Sequence, residues 1–134
     1  MLTIKLDSPI PLSEQIRLGI RQAIATGELK PGDPLPVVRQ LANDLDINFN
    51  TVARAYKELE QEGLVRSIRG RGTVVTSTNE KSRESKPVIK TNLSAKIRDI
   101  LTEAQLLGLS KESVEKMIQN ELKLFWSQGD SENE

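Results

Sequence analysis

The chain contains neither cysteine nor histidine, and aromatic residues make up only 3% of its 134 residues. Without cysteine and histidine it has no disulfides, no thiolate or imidazole metal site, no Cys-based or Ser–His nucleophile and no histidine pH switch. With so few aromatics, the core has to be built from Leu, Ile, Val and Ala. These absences favour a protein that is not an enzyme and that carries no cofactor and no metal ion.

An excess of charge of one sign and a long apolar run are also missing. The 19 basic and 19 acidic residues cancel, so the formal net charge is zero. No run of about 18 apolar residues occurs, and no basic region followed by an apolar stretch opens the chain. We therefore expect a cytoplasmic protein that does not bind a membrane. A neutral chain would bind nucleic acid through local basic patches, with an affinity that depends on salt.

The composition divides the chain into three parts. Residues 77–86 contain no apolar side chain. Such a segment cannot bury enough surface to offset the entropy of ordering it. We therefore assign residues 9–78 to one domain, residues 79–91 to a linker and residues 92–127 to a helical segment.

The first domain shows the periodicity of three helices. Apolar residues recur at helical spacing in three stretches, residues 11–26, 37–45 and 49–62. Pro11 suits the first turn of the first helix. Asp46 tolerates the left-handed or turn geometry needed between the second and third helices, and Asn48 is a good N-cap for the third.

A basic β-hairpin is predicted after the third helix. Residues 64–68 and 73–76 have β-type composition and flank a tip formed by Arg69, Gly70, Arg71 and Gly72. Arginine at such a tip suits a phosphate contact or minor-groove insertion, although a solvated hairpin could carry the same residues. The expected fold is mainly α with a small β-wing, an N-terminal winged helix-turn-helix.

The third helix has an apolar and a polar face. On a helical wheel the polar face carries Asn50, Arg54, Lys57 and Gln61. Amide side chains read base edges, while arginine and lysine reach guanine or phosphate. A polar outer face is also normal for any surface helix, and the late acids Glu58, Glu60 and Glu62 would repel DNA. The polar residues at the helix start favour DNA binding, because helix-turn-helix proteins insert that end into the groove.

Four strings carry a recognisable pattern: GELKPG at residues 27–32, LPVVRQLANDL at 35–45, NFNTVARAYKELEQEGLV at 48–65 and RGRGT at 69–73. Over about residues 9–77 this pattern closely resembles the GntR family of bacterial transcription regulators. The third string, together with the short C-terminal segment, resembles the YtrA-type branch of that family. Members of this branch commonly act as repressors.

The resemblance implies a winged helix-turn-helix that binds operator DNA as a homodimer. At the positions that match the family pattern, Arg39 would contact the DNA backbone or a base. Arg54 and Lys57 would lie on the DNA side of recognition helix 49–62. The start of that helix would carry Asn48, Asn50 and Thr51, and residues 66–73 would form the wing. The rival function is a winged-helix protein-interaction module that does not bind DNA. We favour DNA binding because the polar face offers no apolar anchors.

Two positions depart from the family pattern. Val37 stands where a small residue, often serine, is usual, so a hydroxyl that could cap the second helix is missing. Phe49 stands where proline is usual in this branch. Its ring could contact a thymine methyl group or pack on a neighbouring protein residue, and we favour packing.

The C-terminal segment shows two amphipathic helices separated by Gly108 and Ser110, the latter a candidate N-cap. Their apolar positions are Leu93, Ile97, Ile100, Leu101, Ala104, Leu107, Val114, Ile118, Leu122 and Phe125. Two such helices cannot enclose a core of their own. They must pack on the first domain or on a second chain, and we favour a homodimer. So short a segment leaves no room for a deep pocket, so an effector of unknown identity would bind between subunits.

Overall fold

The computed structural model describes residues 4–76 and 86–126. The chain divides between residues 81 and 82 into two compact units. The first unit contains α1 (Leu12–Ala25), α2 (Val38–Leu45), α3 (Phe49–Gln61), β1 (Val65–Ile68) and β2 (Gly72–Val75). The second contains α4 (Lys86–Leu106) and α5 (Lys111–Trp126). The mainly helical fold with a β-wing, predicted from the sequence, is confirmed.

The core of the first unit is aliphatic, as the shortage of aromatic residues requires. Helix α3 packs against α1, α2 and β1. The fully buried side chains of this core include Ile16, Ile20, Val52, Ala55 and Leu59. Tyr56 is the one aromatic residue among the buried residues described, and its hydroxyl donates a 2.7 Å hydrogen bond to the Pro36 carbonyl. This bond ties α3 to the loop that precedes α2.

The junction between α2 and α3 has the predicted geometry. Asp46 has a φ of 57°, the left-handed conformation that ends α2. The side chain of Asn48 accepts a 2.7 Å hydrogen bond from the Asn50 amide and so caps α3. Val37 caps α2 without a side-chain hydrogen bond, as expected from its lack of a hydroxyl.

The wing is a two-stranded antiparallel sheet in which Val65 pairs with Val75 and Ile68 with Gly72. The Arg71 amide donates to the Ile68 carbonyl at 2.9 Å and closes the turn at the tip. Gly70 in this turn has a φ of 83°, a conformation that a residue with a Cβ rarely adopts. The loop before α2 joins the sheet through a bridge between Pro34 and Val74. The wing is thereby fixed to the helices at its base and projects at its tip.

Several element boundaries differ from the sequence predictions, most of them by one residue. Pro11 is the N-cap of α1 rather than a residue of its first turn. Strand β2 begins at Gly72, because the register pairs this residue with Ile68. The predicted linker, residues 79–91, overlaps α4, which begins at Lys86. Helix formation there is possible because Pro87 lies in the first turn, where no intrahelical amide donor is needed. Residues 77–85 and residue 127 lie outside the described residues.

The second unit is a helical hairpin. Helix α4 ends at Leu106, so that Leu107 lies in the turn, and Gly108 has a φ of 81°. The Ser110 hydroxyl accepts a 3.1 Å hydrogen bond from the Ser113 amide, which confirms the predicted cap of α5. Most apolar side chains of this unit are exposed in a single chain. Among residues 4–76 and 86–126, no helix is long and apolar enough to cross a membrane.

Candidate nucleic-acid interface

The packing of α3 determines which of its side chains face outward. Val52, Ala55 and Leu59 are fully buried against the core. Because successive residues turn by about 100° around a helix, the opposite face must point away from the core. That face carries Asn50, Arg54, Lys57 and Gln61, and all four are exposed. The outward display of this polar face, predicted from the helical wheel, is present in the folded unit.

The start of α3 combines a capped helix end with free polar groups. The Oδ1 atom of Asn48 is engaged by the Asn50 amide, so Asn48 stabilises the helix while its own amide nitrogen remains exposed. Asn50 itself is exposed, and Thr51 is half-buried. The end of a helix that carries unpaired amides is favourable for a phosphate group. Asn50 and Thr51 therefore lie at the helix end at which an anion is favoured.

Arg39 lies on α2 beside the first residue of α3. Its guanidinium carbon is 5.9 Å from the centroid of the Phe49 ring, within the range of a cation–π interaction. The Phe49 side chain nevertheless stays 46% exposed, and Val37 is 70% exposed. The ring thus packs on a neighbouring residue, as we favoured from the sequence, yet half of it remains open to a partner.

The acidic residues at the end of α3 are paired with arginines of α1. The Glu62 carboxylate accepts a 2.6 Å hydrogen bond from Arg17 and lies 3.2 Å from Nε of Arg21. Glu58 lies 3.9 Å from Arg17 and 3.8 Å from Arg54. The repulsion of DNA expected from these acids is therefore partly offset within the unit. Sequence analysis missed this role of Arg17 and Arg21, although their i, i+4 spacing places both on one face of α1.

Arg17 also contacts Glu14, so that it bridges carboxylates on two helices. Hydrogen bonds from Arg17 lower the pKa of Glu14 below its usual value. The hydrogen bonds that Arg17 makes to Glu14 and Glu62 raise the pKa of its own guanidinium. The contacts with Glu14 and Glu62 therefore favour the charged form of the Arg17 guanidinium.

The wing tip offers unpaired cations. Arg66, Arg69 and Arg71 are exposed, as are Gly70 and Gly72 between and beside them. Within residues 4–76 and 86–126, none of these arginines has a carboxylate at ion-pair distance. Unpaired guanidinium groups remain available for phosphates or for a narrow minor groove.

A shallow cavity of about 550 Å³ brings these elements together. It is bordered by Val37 and Arg39 at the start of α2, by Phe49 at the start of α3, and by Arg71 and Gly72 of the wing. The beginning of the second helix, the beginning of the third helix and the wing therefore share one side of the unit. The described residues include no cluster of three carboxylates or other ligating groups that could hold a metal ion.

Helices α2 and α3 are joined by a left-handed turn, α3 displays a polar face outward, and a basic β-wing follows. Together these features define a winged helix-turn-helix DNA-binding protein. Residues 12–75 match the profile of the family described as bacterial regulatory proteins, gntR family. The chain is 38% identical over 120 residues to the HTH-type transcriptional repressor YtrA of Bacillus subtilis, covering 88% of this chain and 89% of that relative. The chain belongs to the GntR family of DNA-binding transcription regulators.

The solved structures that are similar to this one include the following two. A transcriptional antiterminator from Listeria monocytogenes EGD-e is 28% identical, with a TM-score of 0.75 over 90% of this chain and 88% of that chain. The AraR(DBD) in complex with operator ORX1 is 25% identical, with a TM-score of 0.51 over 56% of this chain and 96% of that chain. Membership of the family decides for DNA binding over the rival function, a protein-interaction module without DNA binding, and it identifies a regulator rather than an enzyme.

Proposed function

We propose that this chain is a homodimeric transcriptional repressor that binds a palindromic operator in the cytoplasm. The start of α3 would enter the major groove, and the wing, residues 66–73, would lie along the backbone or in the minor groove. The observation that carries the proposal is the shared cavity, which places the starts of α2 and α3 and the wing on one side of the unit. In this proposal residues 9–78 form the DNA-binding domain and residues 92–127 the dimerisation segment.

The exposed side chains suggest a division of roles. Asn50 and Thr51, at the end of α3 that would enter the groove, would contact base edges. Asn48 would hold the helix end in place. The cations would contact phosphates or guanines, and they are Arg39, Arg54, Lys57, Arg69 and Arg71. Gly70 and Gly72 would let the backbone of the tip approach the DNA closely.

Repression is supported by a relative that is aligned over most of both chains. The Bacillus subtilis protein is named a transcriptional repressor, and its length matches that of this chain closely. A similar winged domain has been solved in complex with an operator, which supports the same mode of DNA binding here. A bound regulator that overlaps a promoter blocks transcription by occupying the DNA.

Dimerisation is supported by the apolar surface of the second unit. Seven of the predicted dimerisation residues are exposed, namely Leu93, Ile97, Ile100, Leu101, Leu107, Ile118 and Leu122, and the other three, Ala104, Val114 and Phe125, are half-buried. So large an apolar surface on two helices is typical of an interface. A second copy of the hairpin would cover it, and two DNA-binding domains would then match the two halves of a palindrome. A small effector would bind between the two subunits, where Leu101, Val114 and Ile118 also border an open cavity of about 540 Å³.

The test is selection of duplexes from a randomised DNA pool by the full-length protein, followed by affinity measurements on the selected sequence. We expect a palindromic consensus, and a footprint of the same sequence near the gene for the protein. The double variant Asn50→Ala with Thr51→Ala should lose about 1–3 kcal/mol of discrimination against mismatched bases while keeping its fold. Asn120→Ala, an exposed asparagine on α5, is the matched control. Unchanged discrimination in the double variant would refute the assignment of the site.

A further inference from the structure

The exposed face near the start of α3 contains an apolar patch that polar DNA contacts do not use. Val37 is 70% exposed and the Phe49 ring is 46% exposed, although both are large apolar side chains in a small unit. Both border the cavity between the helices and the wing. An exposed aromatic ring gains free energy when a bound partner removes its apolar surface from water.

The surroundings of the patch favour DNA as that partner. The guanidinium carbon of Arg39 lies 5.9 Å from the centroid of the Phe49 ring, and Arg71 borders the same cavity. An apolar surface bordered by two cations matches a base edge that carries a methyl group and is flanked by phosphates. In the major groove only thymine presents such a group, at C5, and phenylalanine is one of the side chains that contact it.

We propose that Phe49 and Val37 are specificity-determining residues that bury a thymine methyl group in each operator half-site. In the same contact, the cation–π pair holds the Arg39 guanidinium beside the methyl group. Arg39 is then positioned to bind the adjacent guanine or phosphate. This inference rests on the proposed docking of α3 in the major groove, and it adds the chemical group that the groove must present.

Replacement of thymine by deoxyuridine tests the contact, because it removes the methyl group and keeps every hydrogen-bonding atom of the base pair. The probe is the duplex selected from a randomised pool by the full-length protein, with each thymine replaced in turn. We expect one position per half-site at which deoxyuridine lowers the affinity about fourfold, the factor for burial of one methyl group. The ratio of the affinity for the thymine duplex to the affinity for the deoxyuridine duplex should stay constant as the salt concentration rises. An apolar contact releases no counterions, so its contribution does not depend on salt.

Variants of the patch complete the test. Phe49→Ala should bind the thymine and deoxyuridine duplexes equally, and Val37→Ala should reduce the ratio to about twofold. Phe49→Leu retains an apolar side chain and should retain discrimination, so a loss in Phe49→Ala is not a folding defect. Ile10→Ala, with a similarly exposed apolar side chain, is the matched control and should behave as the parent.

The outcomes distinguish this inference from the proposed function. A protein that selects an operator but binds all deoxyuridine duplexes like the parent duplex overturns the methyl contact and leaves operator binding intact. Discrimination that survives in Phe49→Ala overturns it as well. A protein that enriches no sequence from the pool instead contradicts the proposed function.

Discussion

At the scale of single residues, Tyr56 shows how a buried polar group connects the DNA-binding helix to the rest of the unit. It is the single tyrosine of the chain, it is 5% exposed, and its hydroxyl donates to the Pro36 carbonyl. Burial raises the pKa of Tyr56 to about 12 from a usual value near 10. The neutral hydroxyl is thus favoured in the folded state, and the loop that leads into Val37 and Arg39 is held through it.

The first prediction concerns this tyrosine and pH. Because the unfolded state ionises first, the contribution of Tyr56 to the free energy of unfolding is complete below about pH 10. It is lost as the pH rises towards 12, up to about 3 kcal/mol for a shift of this size. Urea unfolding from pH 9 to about pH 12 measures the loss, and tyrosinate absorbance reports Tyr56 alone.

Tyr56→Phe is the control for the pH prediction. It should be about 1 kcal/mol less stable than the parent below pH 10, because the hydrogen bond to Pro36 is lost. Its free energy of unfolding should then fall less steeply than that of the parent between pH 10 and 12. If the free energy of unfolding fell equally with pH in the parent and in Tyr56→Phe, the raised pKa of Tyr56 would be contradicted.

The second prediction concerns Arg17, which compensates the acidic end of α3. Its side chain is 19% exposed and that of Glu62 is 22% exposed, so the ion pair is partly buried. We expect Arg17→Gln to lower stability and to weaken DNA binding at low salt, since Glu58 and Glu62 would then repel phosphates. Urea unfolding and fluorescence anisotropy with a labelled operator measure the two effects.

A second substitution should reverse the effect on DNA binding. Glu62→Gln in the Arg17→Gln background removes one of the carboxylates that Arg17 had compensated, so the affinity should return towards that of the parent. A double-mutant cycle on stability should give a coupling of about 1 kcal/mol. Strictly additive effects in both assays would show that the pair does not act on the DNA-binding face.

At the scale of elements, the wing is rigid at its base and open at its tip. The bridge from Pro34 to Val74 and the pairing of Val65 with Val75 fix the base to the helices. The turn that contains Gly70 holds the tip in a conformation that glycine adopts without strain. Arg69 and Arg71 are therefore presented on a fixed support, which reduces the entropy lost when they bind.

The third prediction tests the wing arginines as phosphate contacts. Arg69→Ala with Arg71→Ala should weaken binding to selected and random duplexes alike. The slope of log affinity against log salt should become smaller by about 1 for each lost contact. Titrations at several salt concentrations measure the slope, and Lys116→Ala on α5, also exposed, should leave it unchanged. A loss confined to the selected duplex would instead assign base reading to the wing.

At the scale of the whole molecule, the two units have different surfaces. Residues 4–76 enclose a core, whereas α5 has no buried residue and α4 exposes most of its apolar side chains. A pair of helices in this state gains stability by covering that surface. In the proposed homodimer, association of two chains would join the stability of the second unit to the spacing of the two DNA-binding domains.

The fourth prediction concerns the oligomeric state. Light scattering should give a mass of twice the 14.9 kDa chain. The double variant Leu101→Glu with Ile118→Glu should give monomers with much weaker operator binding, because two charges would be buried in the interface. Glu103→Gln, an exposed position on α4, is the control. The single tryptophan, Trp126, is 55% exposed and provides a fluorescence signal for the association. A dimer that survives both substitutions would place the interface elsewhere.

Much of the fold could be predicted because its signals are local. The periodicity of α3, the cap by Asn48 and the left-handed Asp46 each depend on residues within about four positions of one another. The exposed polar face of α3 followed from the same periodicity, since burial of Val52 and Leu59 directs the opposite face outward. The start of α4 was not predicted, because the polar composition before Pro87 is typical of a linker, whereas the helix begins at Lys86.

The sequence by itself determined the elements, the polar face of α3 and the basic tip of the wing, because these follow from neighbours along the chain. Only the tertiary structure decided that Arg17 reaches Glu62, 45 positions away, and that Arg39 covers the Phe49 ring. It also decided that the wing and the starts of α2 and α3 share one cavity. Contacts of this kind depend on how distant segments are brought together by burial of the core, and local patterns carry no information about that distance.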